Sequence, residues 1–292
     1  MLGLELQDTR VVAVSVDDRG HVLARALVEV SGTLPAAADA ALAAVSVSDP
    51  GPLGLASTNA DSGAIAGVVS DLTRRFSAPP PSGPVPSGAA AALAEAWVGA
   101  ARGAQDVVFF AVGDRTLGGV VRQGRAVTGA RGRAGSIAWL ALNPVEREDY
   151  RKVGCLEAEV AAAGIVRRLI WRIKAGDRSR VQDAVGNDLT AITMDHVLDA
   201  ARGGDGVSIS VVRDTAKYLG MAAANLVVVA DPETLVLGGI MASAADLLFE
   251  PVRVEISRRL PPSMMGALVI APGTLGAEAA AIGAARLSAP AR

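Results

Sequence analysis

HVLDAARGGDGVSISVVRDTAKYLGMAAANLVVVADPETLVLGGIM, residues 196–241, sets a long helical run against one short apolar segment. Helical spacing of apolar residues continues from about Glu157 to Val229, whereas TLVLGG, Thr234–Gly239, reads as a strand closed by a glycine pair. Immediately downstream come further helices, a late strand in ALVIAP (Ala267–Pro272) and a small-residue helix, LGAEAAAIGAARL (Leu275–Leu287). Upstream, DVVFFAVGDRTLGGVVRQGRAVTG (Asp106–Gly129) is a strand set with a turn at Arg122–Gly124.

The first part of the chain follows a similar order. Leu2–Val30 reads as three strands, with a hairpin signal at Asp17–Gly20. Helices are expected over Pro35–Val45 and over Ser62–Phe76, the second with a serine cap, and a strand with loop over Ser48–Thr58. Ser77–Gly88 holds five prolines and reads as a loop around at most a short strand. Ala89–Ala104 is expected to be one helix. A βββαβα-like order therefore occurs twice, with a break near residues 104–106.

Composition narrows the class. The 292 residues are 51% hydrophobic and 3% aromatic, with a net charge of −2. That allows a large core of small side chains and gives no basic excess for nucleic acid or an anionic membrane. One cysteine, Cys155, excludes an intrachain disulfide and suits a reducing cytoplasm. No leader-like segment follows Met1, and no uninterrupted apolar run is long enough to span a bilayer.

An early hairpin, strand–helix alternation and a second hairpin resemble the actin-like ATPase fold. Within it, Leu219–Gly220, Asn225–Leu226, Pro232–Glu233 and Gly238–Gly239 resemble successive motifs of the ROK family (repressors, open reading frames and sugar kinases). RAGSI at Arg133–Ile137, GCLEA at Gly154–Ala158 and the closing helix fall in matching places. The resemblance implies an α/β fold of two actin-like (ribonuclease H-like) domains around a central cleft. Residues 1–104, completed by the helix at 277–292, would form one domain and 105–276 the other. It also implies Mg-ATP, a hexose or N-acetylhexosamine substrate, and a homodimer through the second domain.

Each working part of such a kinase is altered here. The family's first phosphate loop, Asp-x-Gly-Gly-Thr, corresponds to Glu5-Leu6-Gln7-Asp8-Thr9, which keeps a carboxylate at Glu5 and a hydroxyl at Thr9 but loses both glycines. The second, Gly-Thr-Gly-x-Gly-Gly-Gly, corresponds to Gly113-Asp114-Arg115-Thr116-Leu117-Gly118-Gly119. A carboxylate such as Asp114 beside a phosphate oxygen is repulsive by about 4 kcal/mol at about 4 Å and an effective dielectric of about 20. Arg115 offsets part of this, or else pairs with Asp114 on the surface of an ordinary hairpin turn. The family's catalytic aspartate precedes an alanine-rich helix; Ser87 stands in its place. A serine is no general base near neutral pH, and losing a positioned base costs about 10²–10⁴-fold in rate. Ser87 reads more simply as a helix cap. Asp61 is a candidate substitute base with nothing in its spacing to favour it.

The family's Gly-Glu-x-Gly-His, which supplies a sugar-binding glutamate and a zinc histidine, corresponds to Gly135-Ser136-Ile137-Ala138-Trp139. Two of the three zinc cysteines correspond to Glu148 and Tyr150, so Cys155 alone remains. One thiolate cannot hold tetrahedral zinc, and no zinc is expected. Trp139 and Tyr150 are expected to fill the vacated volume, with Cys155 a small core residue. Glu157 matches a sugar-contacting position, or else lies in the first turn of a helix where the dipole favours it. The candidate ligand-binding set is Glu157, Ser136 and Asn59; the candidate nucleotide-binding set is Glu5, Thr9, Gly113, Gly118, Gly238 and Gly239.

Substitutions cluster at the site while the framework motifs persist. The expectation is a cytoplasmic ROK-like homodimer that is non-catalytic: regulatory, scaffolding or sensing a small ligand. An active sugar kinase with relocated groups is the alternative. A repressor's effector domain is a second one, although the chain begins at its first strand rather than at a DNA-binding segment.

Overall fold

The computed structural model describes residues 1–45, 52–59, 62–76 and 84–288. Its first sheet is built from β1 (Leu2–Leu6), β2 (Arg10–Val16), β3 (Val22–Glu29), β4 (Leu53–Ser57) and the two-residue β5 (Val85–Pro86). Strand order is β3-β2-β1-β4-β5. The β1–β2–β3 meander is antiparallel, and β4 and β5 are added in parallel. β1 and β4 are buried along their whole length, which suits central strands covered on both faces. Helices α1 (Leu34–Val45) and α2 (Gly63–Arg75) cover one face through Leu34, Leu42, Ile65, Val68 and Leu72. Ser62 caps α2 by accepting from the amide of Ile65.

Helix α3 (Ser87–Trp97) leads to the second sheet. It holds β6 (Val107–Val112), β7 (Thr116–Arg122), β8 (Arg125–Ala126), β9 (Thr234–Gly239) and β10 (Val269–Pro272), in the order β10-β9-β6-β7-β8. Read in sequence order, this repeats the first sheet: a three-strand meander followed by two strands added in parallel. Between β8 and β9 lie α4 (Glu148–Val153), α5 (Cys155–Val160), α6 (Ala162–Lys174), α7 (Arg180–Ala184), α8 (Met194–Arg202) and α9 (Gly206–Ala230). After β9 come α10 (Ile240–Ser243), α11 (Ala245–Ser257) and α12 (Pro262–Ala267). The largest core gathers Phe110, Leu235 and Leu237 of this sheet with Leu169, Leu219 and Ile256 of the helices.

The last helix, α13 (Ala279–Ser288), returns to the first sheet. A Cβ at Gly3 would stand 1.9 Å from the Ala281 carbonyl oxygen, and one at Gly54 1.8 Å from that of Ala284. Glycine in β1 and β4 and alanine along α13 are thus what lets the helix lie directly on the sheet.

Two expected elements change. The helix expected over residues 89–104 stops at Trp97. The Glu95 carboxylate folds back to accept from the amide of Ala100 at 2.7 Å, and the chain turns there instead of continuing. Ser87 is not a cap: Pro86 occupies the position before α3, and no side-chain cap bond forms. Ser87 is drawn into the first turn, fully buried, with its hydroxyl unpartnered. Among the described residues, no helix is long and apolar enough to cross a membrane.

Candidate functional site

A cleft of about 880 Å³ opens between the two sheets. This is the size of a small-molecule site. One wall is the β1–β2 hairpin, with Glu5, Asp8, Thr9 and Arg10, together with Thr58 beyond β4. The other is the β6–β7 turn and the start of α5 and α6, with Gly113, Asp114, Arg115, Glu157 and Arg167. Gly238 and Gly239 end β9 at its edge, and residues 273–277 and the start of α13 close the floor.

The two hairpins, which hold equivalent places in the two sheets, are joined by one side chain. Arg115 lies 3.5 Å from the Asp8 carboxylate and 3.8 Å from that of Glu157. It does not pair with Asp114 in the manner of a simple surface turn. Glu157 sits in the first turn of α5, and it also lines the cleft. Its carboxylate accepts from the Thr116 amide at 2.8 Å and hydroxyl at 3.0 Å, and thereby fixes the β6–β7 turn. Both ion pairs to Arg115 are longer than a hydrogen bond, so the guanidinium is held between two acids without being saturated by them.

Glu5 is 2% exposed, and its Oε1 has no hydrogen-bond partner. Burial holds its carboxyl above the usual carboxylate range, against the opposing effects of Ser87, Gln7 and Arg10. Ser87 faces it from α3, yet its hydroxyl completes no bond either. Arg10 is turned toward the Gln7 side chain at 3.0 Å.

Of the residues singled out from sequence, Glu5, Thr9, Gly113, Glu157, Gly238 and Gly239 come together around the cleft. Gly118, Ser136 and Asn59 do not line it. A Cβ at Gly118 would stand 2.5 Å from Ile137, and one at Gly119 1.9 Å from the Gly88 carbonyl oxygen. Gly119 thus serves the close packing of α3 on β7, and Gly118 makes room for Ile137 and the Gly135 carbonyl. The Ser136 hydroxyl donates to the Arg133 carbonyl, and the Asn59 amide donates to Ser57 while Thr58 takes the cleft position. Asp61 lies outside the described residues. Gly239 has φ of 61° and meets the Val112 carbonyl, so the turn after β9 needs glycine for backbone reasons as well.

Glu95 was missed by sequence reasoning. It is buried, lines the cleft, and accepts from the amides of Thr274 and Leu275 at 3.0 and 3.1 Å. A lone acid in an alanine-rich helix was the available signal.

The residues at the family's zinc position do not fit that metal. Cys155 is buried beside Tyr150, Ala158 and Leu142. Trp139 is 58% exposed and fills no cavity, contrary to expectation; the 3₁₀ turn that carries it points its neighbour Ile137 inward instead. Among the described residues, no cluster of three or more His, Cys, Asp or Glu side chains could hold a metal ion. The segment is tied down by charge: the buried Glu159 carboxylate accepts from the Tyr150 hydroxyl, from Arg168 at 2.7 Å and from Arg147 at 3.2 Å. Burial and the adjoining carboxylate push the Tyr150 phenol well above its ordinary range, so it remains a donor.

A profile of the ROK family matches residues 6–290. The chain belongs to the ROK family. This ROK protein is 33% identical over 196 residues to the glucokinase of Halalkalibacterium halodurans, a match covering 66% of this chain and 59% of that protein. It is 29% identical over 162 residues to the N-acetylglucosamine repressor of Escherichia coli, covering 55% of this chain and 38% of the repressor. The chain thus matches about three fifths of the kinase's length and less than half of the repressor's. The ROK-family glucokinase of Streptomyces griseus, solved with glucose and AMPPNP, superposes with a TM-score of 0.80 over 98% of both chains at 22% identity. That likeness shows the actin-like fold.

Proposed function

We propose that this ROK protein binds a small polyhydroxylated ligand in its cleft and serves a regulatory or sensing role without transferring phosphate to it. The observation that carries the reading is Ser87: a buried hydroxyl outside the cleft lining stands where the family has its base. The phosphate-facing turns support it. Gln7 and Asp8 replace open backbone, and Arg115 is engaged by two carboxylates of the protein itself. A glucokinase and an N-acetylglucosamine repressor among its relatives make a sugar the natural class of ligand. The reading keeps a division of the chain at residues 104 and 105, with the C-terminal helix returning to the first domain, and a cytoplasmic homodimer.

A second reading, an ATP-dependent sugar kinase with relocated groups, is favoured by one feature: the Glu5 carboxyl lines the cleft from a place facing Ser87. Thermal unfolding with glucose, N-acetylglucosamine, Mg-ATP and their combinations tests the binding claim. A sugar at about 100 times its dissociation constant should add about 2.7 kcal/mol and raise the midpoint by several degrees, with no further gain from Mg-ATP. No shift with any sugar would contradict it.

A further inference from the structure

We propose that Glu95 is the positioning residue of the cleft: its carboxylate couples the two crossings of the chain between the sheets and so sets the angle at which the cleft walls stand. The chain passes from the first sheet to the second through residues 98–106, between α3 and β6. It returns through residues 273–278, between β10 and α13. The Glu95 carboxylate accepts from both. On the outward crossing it takes the Ala100 amide at 2.7 Å. On the return it takes the amides of Thr274 and Leu275 at 3.0 and 3.1 Å and the Thr274 hydroxyl at 3.3 Å. Hydrogen bonds to an ionised acceptor are about twice as strong as neutral ones. Glu95 is 1% exposed, so water does not compete for them. Both crossings are shaped around the carboxylate: a Cβ at Gly99 would stand 2.0 Å from Oε2, and one at Gly273 3.1 Å from Oε1.

The position gives this residue leverage. Helix α3 follows the first sheet yet lies on β7 of the second, where Gly88 meets Gly119. Helix α13 follows the second sheet yet lies on β1 and β4 of the first. The two helices press together at Gly283, where a Cβ would stand 1.8 Å from the Ala90 carbonyl oxygen. They are the layers between the sheets, and Glu95 joins the last turn of one to the approach of the other beside the cleft. At the cleft mouth the walls are joined by Arg115 and Asp8, 3.5 Å apart and half-exposed, and such a pair holds little. Control of the cleft width therefore lies at its root. Width is a property of the free protein, so the proposal stands whichever ligand the cleft takes.

The test is pulsed electron–electron distance measurement on the full chain, spin-labelled in pairs in a Cys155→Ser background and diluted with unlabelled protein. One pair spans the cleft: Ala36→Cys on α1 with Lys152→Cys on α4, both exposed. The other lies wholly beside the second sheet: Lys152→Cys with Lys174→Cys at the exposed end of α6. Glu95→Gln keeps the side-chain shape but turns one oxygen into a donor, so it accepts from one crossing and confronts an N–H of the other. The proposal expects the distance distribution across the cleft to be shifted and at least doubled in width, with the second pair as narrow as in the wild type. An unchanged distribution across the cleft would overturn it. Broadening of both pairs would show general loosening and overturn it too, as would equal broadening by Arg115→Ala, which places control at the mouth. If Glu95→Gln does not fold, Gly99→Ala decides: its Cβ displaces the carboxylate without removing it, and must broaden the first pair alone.

Discussion

Glu159 and Tyr150 show how a few side chains tie down a whole segment through hydrogen bonds and charge. Three donors converge on one buried carboxylate: the phenol of Tyr150 and the guanidinium groups of Arg147 and Arg168. Arg168 also donates to Thr215 of α9, so the network ties the α4–α5 segment to the long helix behind it. Tyr150→Phe removes one donor from a buried charge and should cost about 1–3 kcal/mol, read as a lower midpoint in urea unfolding. EDTA should leave the wild-type midpoint where it is. A large drop with chelator and none with the substitution would show that metal, not charge, secures this segment. Tyr150 and Cys155 were legible in sequence as buried residues, but their anchor was not. Glu159 carries no motif, and its two arginines come from a loop and a helix that only the fold brings together.

At the scale of elements, α9 depends on the residue that caps it. Asp205 precedes the helix and accepts from the amide of Ser208 at 2.9 Å, while also receiving the Ser179 hydroxyl and the Arg180 amide. Burial opposes its charge, but these hydrogen bonds outweigh burial and hold the carboxyl below the usual aspartate range. Its stabilising contribution is therefore present above the unfolded-state value of about 3.9 and is lost as pH falls through the lower folded-state value. Asp205→Ala should cost about 0.5–2 kcal/mol at neutral pH, with the difference from wild type shrinking in acid. Denaturant titrations at neutral and acid pH measure both, and a difference independent of pH would contradict the account. The long helix and the strand after it could be read from sequence because patterning over many residues leaves little choice. β5 was legible only as the short strand allowed within Ser77–Gly88, since two residues, one of them a proline, have no period. The early end of α3 was not legible, because a side chain folding back on the backbone outweighed alanine's preference for helix.

At the scale of the whole molecule, two copies of one strand order face each other across a cleft, and the sequence repeat foretold that duplication. What it could not foretell is the contact between the copies. Arg115 and Asp8 lie in the hairpins of different sheets, and nothing in either local stretch indicates the other. The same holds for Gly118 and Gly119, which in sequence read as part of a phosphate loop or of an ordinary hairpin turn until Ile137 and α3 are seen lying against them. Candidate site residues were therefore readable one by one, while the contacts they make required the fold. The central claim is that the cleft persists as a binding site after phosphoryl transfer has gone. Its most direct test is a single-turnover assay with protein in excess over labelled Mg-ATP, with glucose and with N-acetylglucosamine at saturating concentration. The account predicts no labelled sugar phosphate above the protein-free control, and formation of sugar phosphate by the purified wild-type protein would contradict it.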